Sequence, residues 1–481
     1  MGGRFWVETL GCKANTYDSW ILQSQLERRG WRRAAPGEPA ELVIVNSCTV
    51  TNEADRQSRK AASRLARKHP KGRVVMTGCG AEVTPKKMAA VPGVDHVAGN
   101  QDKHALVEEV LKLIDGETSE SPIVLGEVQP YARFNNKHPS DRKWPDPEDA
   151  FQTPETRQGR TRAFLKIQEG CDAFCTFCII PYARGPARSL RPISLVQQVR
   201  ELCAEGVREI VLTGTALGDY GVDLSAESEA HRPTLEMLIE MILRETPIEG
   251  LRIGSLDPNE VTDGILEIMS AEPRLRPHIH LSLQSPHPEV LKRMKRRYGA
   301  DDAVDTLASI ARVGDRLTRQ RGLAGGVYVG MDVIVGFPGE TEEIFRWSVE
   351  RLKTLPWNRL HVFPYSEREG TAATRLDGEV DPAVRKERVR TLMALSGERG
   401  LMHAEALITS GQPLDVLMEG PWRDKEGWFT GISRNYHRVA IPLQNDLRPN
   451  TEISVIAEHA TMNRISGDVI LLGKPLRVHN Q

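Results

Sequence analysis

Apolar runs recur along this chain with two different rhythms. In the first hundred residues, FWVETLGC (5–12), ELVIVNSC (41–48) and RVVMTGC (73–79) are short β-rich runs, and each ends in a cysteine. Helix-period stretches follow the first two, from Tyr17 to Arg29 and from Glu53 to Lys68. VDHVAGN (94–100) reads as a fourth strand, with a helix from Lys103 to Ile114 behind it. Strands that alternate with helices predict an open parallel α/β sheet.

A second series starts at Arg162. RAFLKIQ (162–168), REIVLTG (208–214), LRIGSLD (251–257), HIHLSLQ (278–284), YVGMDVIVG (328–336) and RLHVFPY (359–365) are six strand candidates. Helical patterns separate them, among them SLVQQVRELCAEG (194–206) and EEIFRWSVERLKTL (342–355). This predicts a partial (β/α)6 barrel, whose working residues belong at strand C-termini. A long charged helix spans Pro382 to Ser410. After it the rhythm shortens: PLDVLME, GWFTGIS, HRVAIPL, EISVIAEHA and SGDVILL are five strand candidates. They predict a small antiparallel β-barrel, an architecture that often holds nucleic acid. The stretch 116–160 is polar, proline-rich and without period, as a linker is. The expected layout is an α/β chain: an open parallel domain over 1–116, a linker over 117–156, the partial barrel over 157–408 and the small barrel over 409–478.

Composition changes this picture little. The 481 residues hold 64 Lys and Arg against 65 Asp and Glu, a net charge of −1, so any basic surface is local. The start shows no leader pattern, and no apolar run approaches a membrane span, which reads as a soluble cytoplasmic protein. There thiols stay reduced, and clustered cysteines point to metal or redox chemistry.

Cysteine usage changes the picture more. Of seven cysteines, Cys171, Cys175 and Cys178 form a C-x3-C-x2-C group just past the first strand of the barrel. Zinc modules pair C-x2–4-C with two further ligands, and no fourth Cys or His is close here. Three thiolates suit three irons of a cubane cluster and leave one iron open to a small molecule. Cys12, Cys48 and Cys79 each follow a strand C-terminus, so the topology brings them to one edge of the first sheet, where ligands bind. Cys203 lies in an amphipathic helix and reads as a small core residue.

The group EGCDAFCTFCIIPYARG (169–185) resembles the signature of the radical S-adenosylmethionine enzymes. The resemblance implies a 4Fe–4S cluster on Cys171, Cys175 and Cys178 whose open iron binds S-adenosylmethionine. It further implies Phe177 near the adenine, and glycine-rich strand ends near the rest of the cofactor. The matching stretches are LTGTALGDYG (212–221), with Gly214, and DVIVGFPGET (332–341), with Gly336 and Pro338. With TLGCKAN, NSCTVTNEADRQSR and TGCGAE ahead of it and a small β-barrel behind, the chain is similar to the methylthiotransferases of that superfamily. That implies a second 4Fe–4S cluster on Cys12, Cys48 and Cys79, a sulfur donor, an electron donor, a TRAM-type RNA-binding C-terminal barrel and a monomer without membrane attachment. Catalysis then rests on the cluster ligands rather than on acid–base residues.

Three branches of that family exist, acting on isopentenyladenosine in tRNA, on threonylcarbamoyladenosine in the tRNA anticodon loop, or on a ribosomal-protein aspartate. GCKAN, FLKIQEGCDAFCTFCIIPYARGPARS, GDYG and HVFPYSEREGT look most like the threonylcarbamoyladenosine branch. The chain departs from the family pattern at TGCGAEV, at Pro286 and at IGSLDP, none of which removes a cysteine. Basic stretches at 53–73, with eight Lys or Arg against two acids, at KRMKRR (292–297) and at RKERVR (385–390) are candidates for contacting RNA phosphates. The alternatives are one of the other two branches or, outside enzymes, an RNA-binding protein with structural metal sites.

Overall fold

The structure is a computed structural model that describes residues 2–100, 103–114, 124–125, 161–224, 232–444, 447–463 and 467–478. The expected linker over 117–156 lies outside the described residues, except for the short strand Val124–Leu125.

The first domain is built on a six-stranded sheet, parallel throughout. Its order is Arg32–Arg33, Arg4–Thr9, Leu42–Ser47, Arg73–Gly78, His96–Ala98 and Val124–Leu125. Leu42–Ser47 is buried at every position, as a central parallel strand covered on both faces must be. Helix Asn52–Lys68 starts where Thr51 accepts the Ala54 N–H. It carries Glu53 and Asp55 in its first turn and Arg67 and Lys68 in its last, matching the helix dipole. The two-residue strands escaped the sequence pattern because they are too short to show alternation.

All six expected strands of the second domain form, and their order in space is their order in the chain. They are Arg162–Lys166, Glu209–Thr213, a strand broken at Gly254 into Gly250–Ile253 and Ser255–Leu256, then His278–Gln284, Tyr328–Val335 and Arg359–Pro364. Every pairing is parallel. The break at Gly254 divides the wall into a three-stranded and a four-stranded sheet. Helices cover the outside, and the largest apolar core lies between them and the strands.

The barrel is open on one side, and helix Lys13–Arg28 of the first domain covers the strand at that edge. Tyr17, Trp20 and Ile21 join the barrel core, and Trp20 stacks on Phe164 with ring centroids 5.5 Å apart. Charges are buried in the same seam. Lys166 donates to Asp18 at 2.6 Å, and Arg184, wholly buried, pairs with Asp18 at 3.1 Å and with Glu169.

The C-terminal barrel has the five expected strands, Leu414–Pro421, Trp428–Ser433, Arg438–Pro442, Glu452–Met462 and Val469–Val478. Four of its pairings are antiparallel. The pairing of Arg438–Pro442 with Val469–Val478 is parallel and closes the barrel. This small barrel sits against the N-terminal ends of the six large-barrel strands and forms their floor. Arg252 donates to the Ser433 and Arg434 carbonyls at 2.9 and 3.0 Å, Arg162 pairs with Glu419 at 2.6 Å, and Tyr436 stacks on His278 at 3.8 Å. Among the described residues no helix is long and apolar enough to cross a membrane.

Candidate active site

The loop after the first barrel strand carries Cys171, Cys175 and Cys178 at the end of the barrel opposite that floor. Its course is pinned from two sides: the Thr176 N–H donates to the Met294 carbonyl at 3.0 Å, and the Thr176 carbonyl accepts from Ala373 at 2.8 Å. The three thiols line one cavity of about 180 Å³ together with Phe177, Gly214, Asp219, Asp257, Glu260 and Arg296. Burial, and after it the field of Cys175, pushes the thiol of Cys171 up to about 11 and that of Cys178 up to about 12. At neutral pH these are protonated thiols packed close enough to feel one another. Metal binding draws such thiols into the thiolate form and releases their protons.

The cavity has strong polar walls. Arg296 donates to Cys175 Sγ at 3.1 Å and pairs with Asp257, while Arg297 holds Asp219 at 2.9 Å. Gln168 Oε1 accepts the backbone N–H groups of Thr215 and Ala216, both at 3.0 Å, which sets the chain course beyond Gly214. The structure thus brings Phe177 and Gly214 to the thiols. Gly336 and Pro338 do not line this cavity. Gly336 stands at φ +72° with its N–H on Glu340 Oε2 at 2.5 Å, and a Cβ there would lie 2.3 Å from Arg385 Cγ. The Pro338 carbonyl accepts from Arg293 at 2.9 Å. Between them Phe337 meets Phe177 edge-on at 6.3 Å, so this loop backs the aromatic wall of the cavity.

The N-terminal cysteines also converge. Cys12 caps helix Lys13–Arg28, Cys48 follows strand Leu42–Ser47, and Cys79 opens the short helix Cys79–Val83. Gly11 stands at φ +98°, and a Cβ on it would lie 2.8 Å from Cys48 Sγ. Asn15 ties the loops together by donating to the Leu10 and Ser47 carbonyls at 2.7 and 3.0 Å. Asn100 reaches Cys79 Sγ at 3.5 Å and the Ala183 carbonyl at 2.7 Å. Burial, then Cys79 and Cys12, push the thiol of Cys48 up to about 12. Helix Ile180–Arg184, which follows the barrel triad directly, links the two sites, because Arg184 also donates to Asn15 Oδ1 at 2.5 Å.

Both donor sets are three thiols. Among the described residues no three His, Cys, Asp or Glu side chains close on a single metal ion. A lone zinc needs its ligands about 2.3 Å from one centre. Three thiols at each place are a donor set that an iron cluster can take.

Two of the three basic stretches are split: Lys292, Lys295, Arg297, Lys386 and Arg390 are exposed, while other members turn inward. In 292–297, Arg293, Arg296 and Arg297 hold Asp377, Asp257 and Asp219; in 385–390, Arg385 and Arg388 are buried on Glu367 and Glu340. The exposed members remain able to meet phosphates, while Arg296 belongs to the cavity wall and Arg385 and Arg388 to the packing beneath the loop at Gly336.

Family models add independent evidence. The Radical SAM superfamily model matches residues 165–352, and that of the Uncharacterized protein family UPF0004 matches residues 4–99. Threonylcarbamoyladenosine tRNA methylthiotransferase MtaB of Bacillus subtilis is 36% identical over 91% of this chain and 90% of that protein. The protein of that name from Aquifex aeolicus is 36% identical over 82% of this chain and 87% of its own length. This chain belongs to the radical SAM methylthiotransferase family. A tRNA-2-methylthio-N(6)-dimethylallyladenosine synthase from Clostridium botulinum matches this methylthiotransferase at 30% identity over 90% of the chain and 89% of its own length. Among solved structures, the radical S-adenosylmethionine methyltransferase TsrM of Kitasatospora setae shares the fold, with TM-score 0.53 and 17% identity over 76% of this chain and 72% of its own. Radical SAM membership implies one 4Fe–4S cluster and S-adenosylmethionine as the cofactors of this methylthiotransferase.

Proposed function

We propose that this methylthiotransferase converts N6-threonylcarbamoyladenosine in the anticodon loop of tRNA to its 2-methylthio derivative, using two 4Fe–4S clusters. The observation that carries the substrate is that three relatives at 34–36% identity, each over 80% or more of the chain, are named for that nucleoside, while at 30% identity relatives of either name occur. The second cluster is supported by the convergence of Cys12, Cys48 and Cys79 around Gly11 and Asn15. Cys171, Cys175 and Cys178 would hold the cluster that works with S-adenosylmethionine, and the N-terminal triad the one that carries sulfur. Together these groups supply one-electron chemistry at an unreactive C–H bond and a soft-metal grip on sulfur.

The side chains have the supporting tasks. Arg296 places a positive charge on Cys175 Sγ and is itself held by Asp257. Phe177, backed by Phe337, gives one flat apolar wall, and Gly214 lets the backbone approach a ligand closely. An electron donor, a sulfur donor and tRNA complete the reaction, which this reading places in the cytoplasm.

The test is mass spectrometry of tRNA nucleosides from cells lacking the gene and from cells with it restored. Gene-dependent 2-methylthio-threonylcarbamoyladenosine is the expected result. A change confined to the methylthio-isopentenyl nucleoside or to a ribosomal protein would overturn the substrate while leaving the family intact.

A further inference from the structure

Beneath the cysteine cavity lies a second, larger one of about 390 Å³, inside the large barrel and above its floor. The two share Ser255 in their linings, so they abut along the barrel axis. A volume of this size falls within the ~300–1,000 Å³ of small-molecule sites. None of the cysteines lines it. Its wall is polar: Lys13, Arg162, His278, His280, Arg359 and His361 face it, and Arg438 and the carboxylate of Asp468 line it too.

Three of these groups are already engaged. Arg162 is held by Glu419 at 2.6 Å, Arg359 pairs with Asp468, and His280 bonds Asp332 at 2.9 Å. Lys13 has no acidic partner among the described residues. His278 is buried, and neither of its ring nitrogens has a hydrogen-bond partner among the described residues.

The field in the cavity is positive. Burial alone would raise the Tyr436 phenol, yet Lys13, Arg162 and Arg252 hold it below its ordinary value. Burial, then His280 and Arg359, push His361 down to about 4, so it is neutral at physiological pH. An anion entering here meets an unpaired ammonium and a neutral imidazole able to donate. A branched hydrocarbon entering here would strip water from that ammonium and return nothing, which is how a site rejects the wrong substrate.

We propose that this cavity receives the carboxylate-bearing substituent on the substrate adenosine, with Lys13 as its ion-pair partner. The proposal rests on the substrate reading given above and deepens it, since the threonylcarbamoyl group carries a carboxylate and the isopentenyl group does not. Lys13 is the residue after Cys12. The group that grips the substrate's tail is therefore fixed to the loop that presents the N-terminal triad, so the tail and the sulfur site are registered by one helix start.

The test uses the full-length, iron-loaded protein and three anticodon stem-loop RNAs. One carries threonylcarbamoyladenosine, one the same nucleoside with its carboxylate converted to the primary amide, and one isopentenyladenosine. Wild type, Lys13→Gln and Lys13→Arg are compared for kcat and KM, and RNA affinity is read separately by fluorescence anisotropy. Removing one partner of a buried charge pair is worth about thirtyfold or more. Wild type should therefore lose about that factor on the amide, mainly in KM and in affinity. Lys13→Gln should lose it on the acid and lose nothing further on the amide, and Lys13→Arg should recover most of the acid's affinity. Equal affinity of wild type and Lys13→Gln for the acid, or the same loss on acid and amide, would overturn the assignment of Lys13. If wild type instead turned over only the isopentenyl RNA, the substrate reading itself would fall, and this proposal with it.

Discussion

Glu260 shares a buried corner of the cysteine cavity with Asp257, and burial together with that neighbouring charge pushes its carboxyl up to about 7. In the unfolded chain the same group ionises near 4.5. Between those values the folded protein keeps a proton that the unfolded chain has released, so stability falls as pH rises through that window and levels off above it. The effect is of the order of 1–3 kcal/mol. Glu260→Gln keeps an acceptor for the Asp257 N–H and removes the ionisation. The gap between thermal midpoints at pH 5 and pH 8 should therefore narrow in the variant, and an unchanged gap would show that Glu260 does not titrate in this way. Gly11 makes a sharper residue-scale case. A side chain there is strained at φ +98° and would lie on Cys48 Sγ. Gly11→Ala should lose iron from the N-terminal triad while the barrel triad stays loaded, an outcome read by iron analysis per chain.

At the scale of elements, the join between the first domain and the barrel is an ionic seam in an apolar surround. Asp18 comes from helix Lys13–Arg28, Lys166 from the first barrel strand, and Arg184 from the short helix after the triad. Arg184→Met leaves Asp18 and Glu169 with less compensation in a buried place, a change that costs about 3–5 kcal/mol. Its signature should be a lower thermal midpoint and faster proteolysis between the first two domains. An Arg184→Met protein as stable as wild type would mean that water, or Lys166 together with Arg188, satisfies both acids. Much of the elements themselves was legible beforehand, because the strands of both sheets are bounded runs such as LVIVNS and DVIV that no helix period fits. The short helix at Ile180–Arg184 and the parallel closure of the small barrel were not, since a pairing partner is not encoded in the alternation within either strand. The triads were legible as spacing. Arg296 was legible only as part of a basic run, because nothing local says that its guanidinium turns inward to a thiol. Lys13 is legible only as a member of GCKAN, because its cavity is assembled from three domains.

At the scale of the molecule, the two triads should separate into two loads of iron. Wild type prepared anaerobically should hold about eight iron atoms per chain, and each single-triad variant about four, as two four-iron clusters require. Cys175→Ala should abolish cleavage of S-adenosylmethionine. Cys48→Ala should keep that cleavage and lose methylthiolation, and full methylthiolation by Cys48→Ala would remove the second cluster from the scheme. The C-terminal barrel is part of this whole rather than an appendage, because Tyr436 lies flat on His278 and Arg252 spends its donors on the Ser433 and Arg434 carbonyls. That floor has a consequence for how such proteins can change over generations. A recombination that exchanged only the last segment between two relatives would keep carbonyls for Arg252 only where the new barrel docks at the same height, and would leave His278 without a ring wherever the incoming residue is not aromatic. The large barrel and its floor are therefore inherited as a matched pair, and a lineage that alters one must carry the reciprocal change in the other.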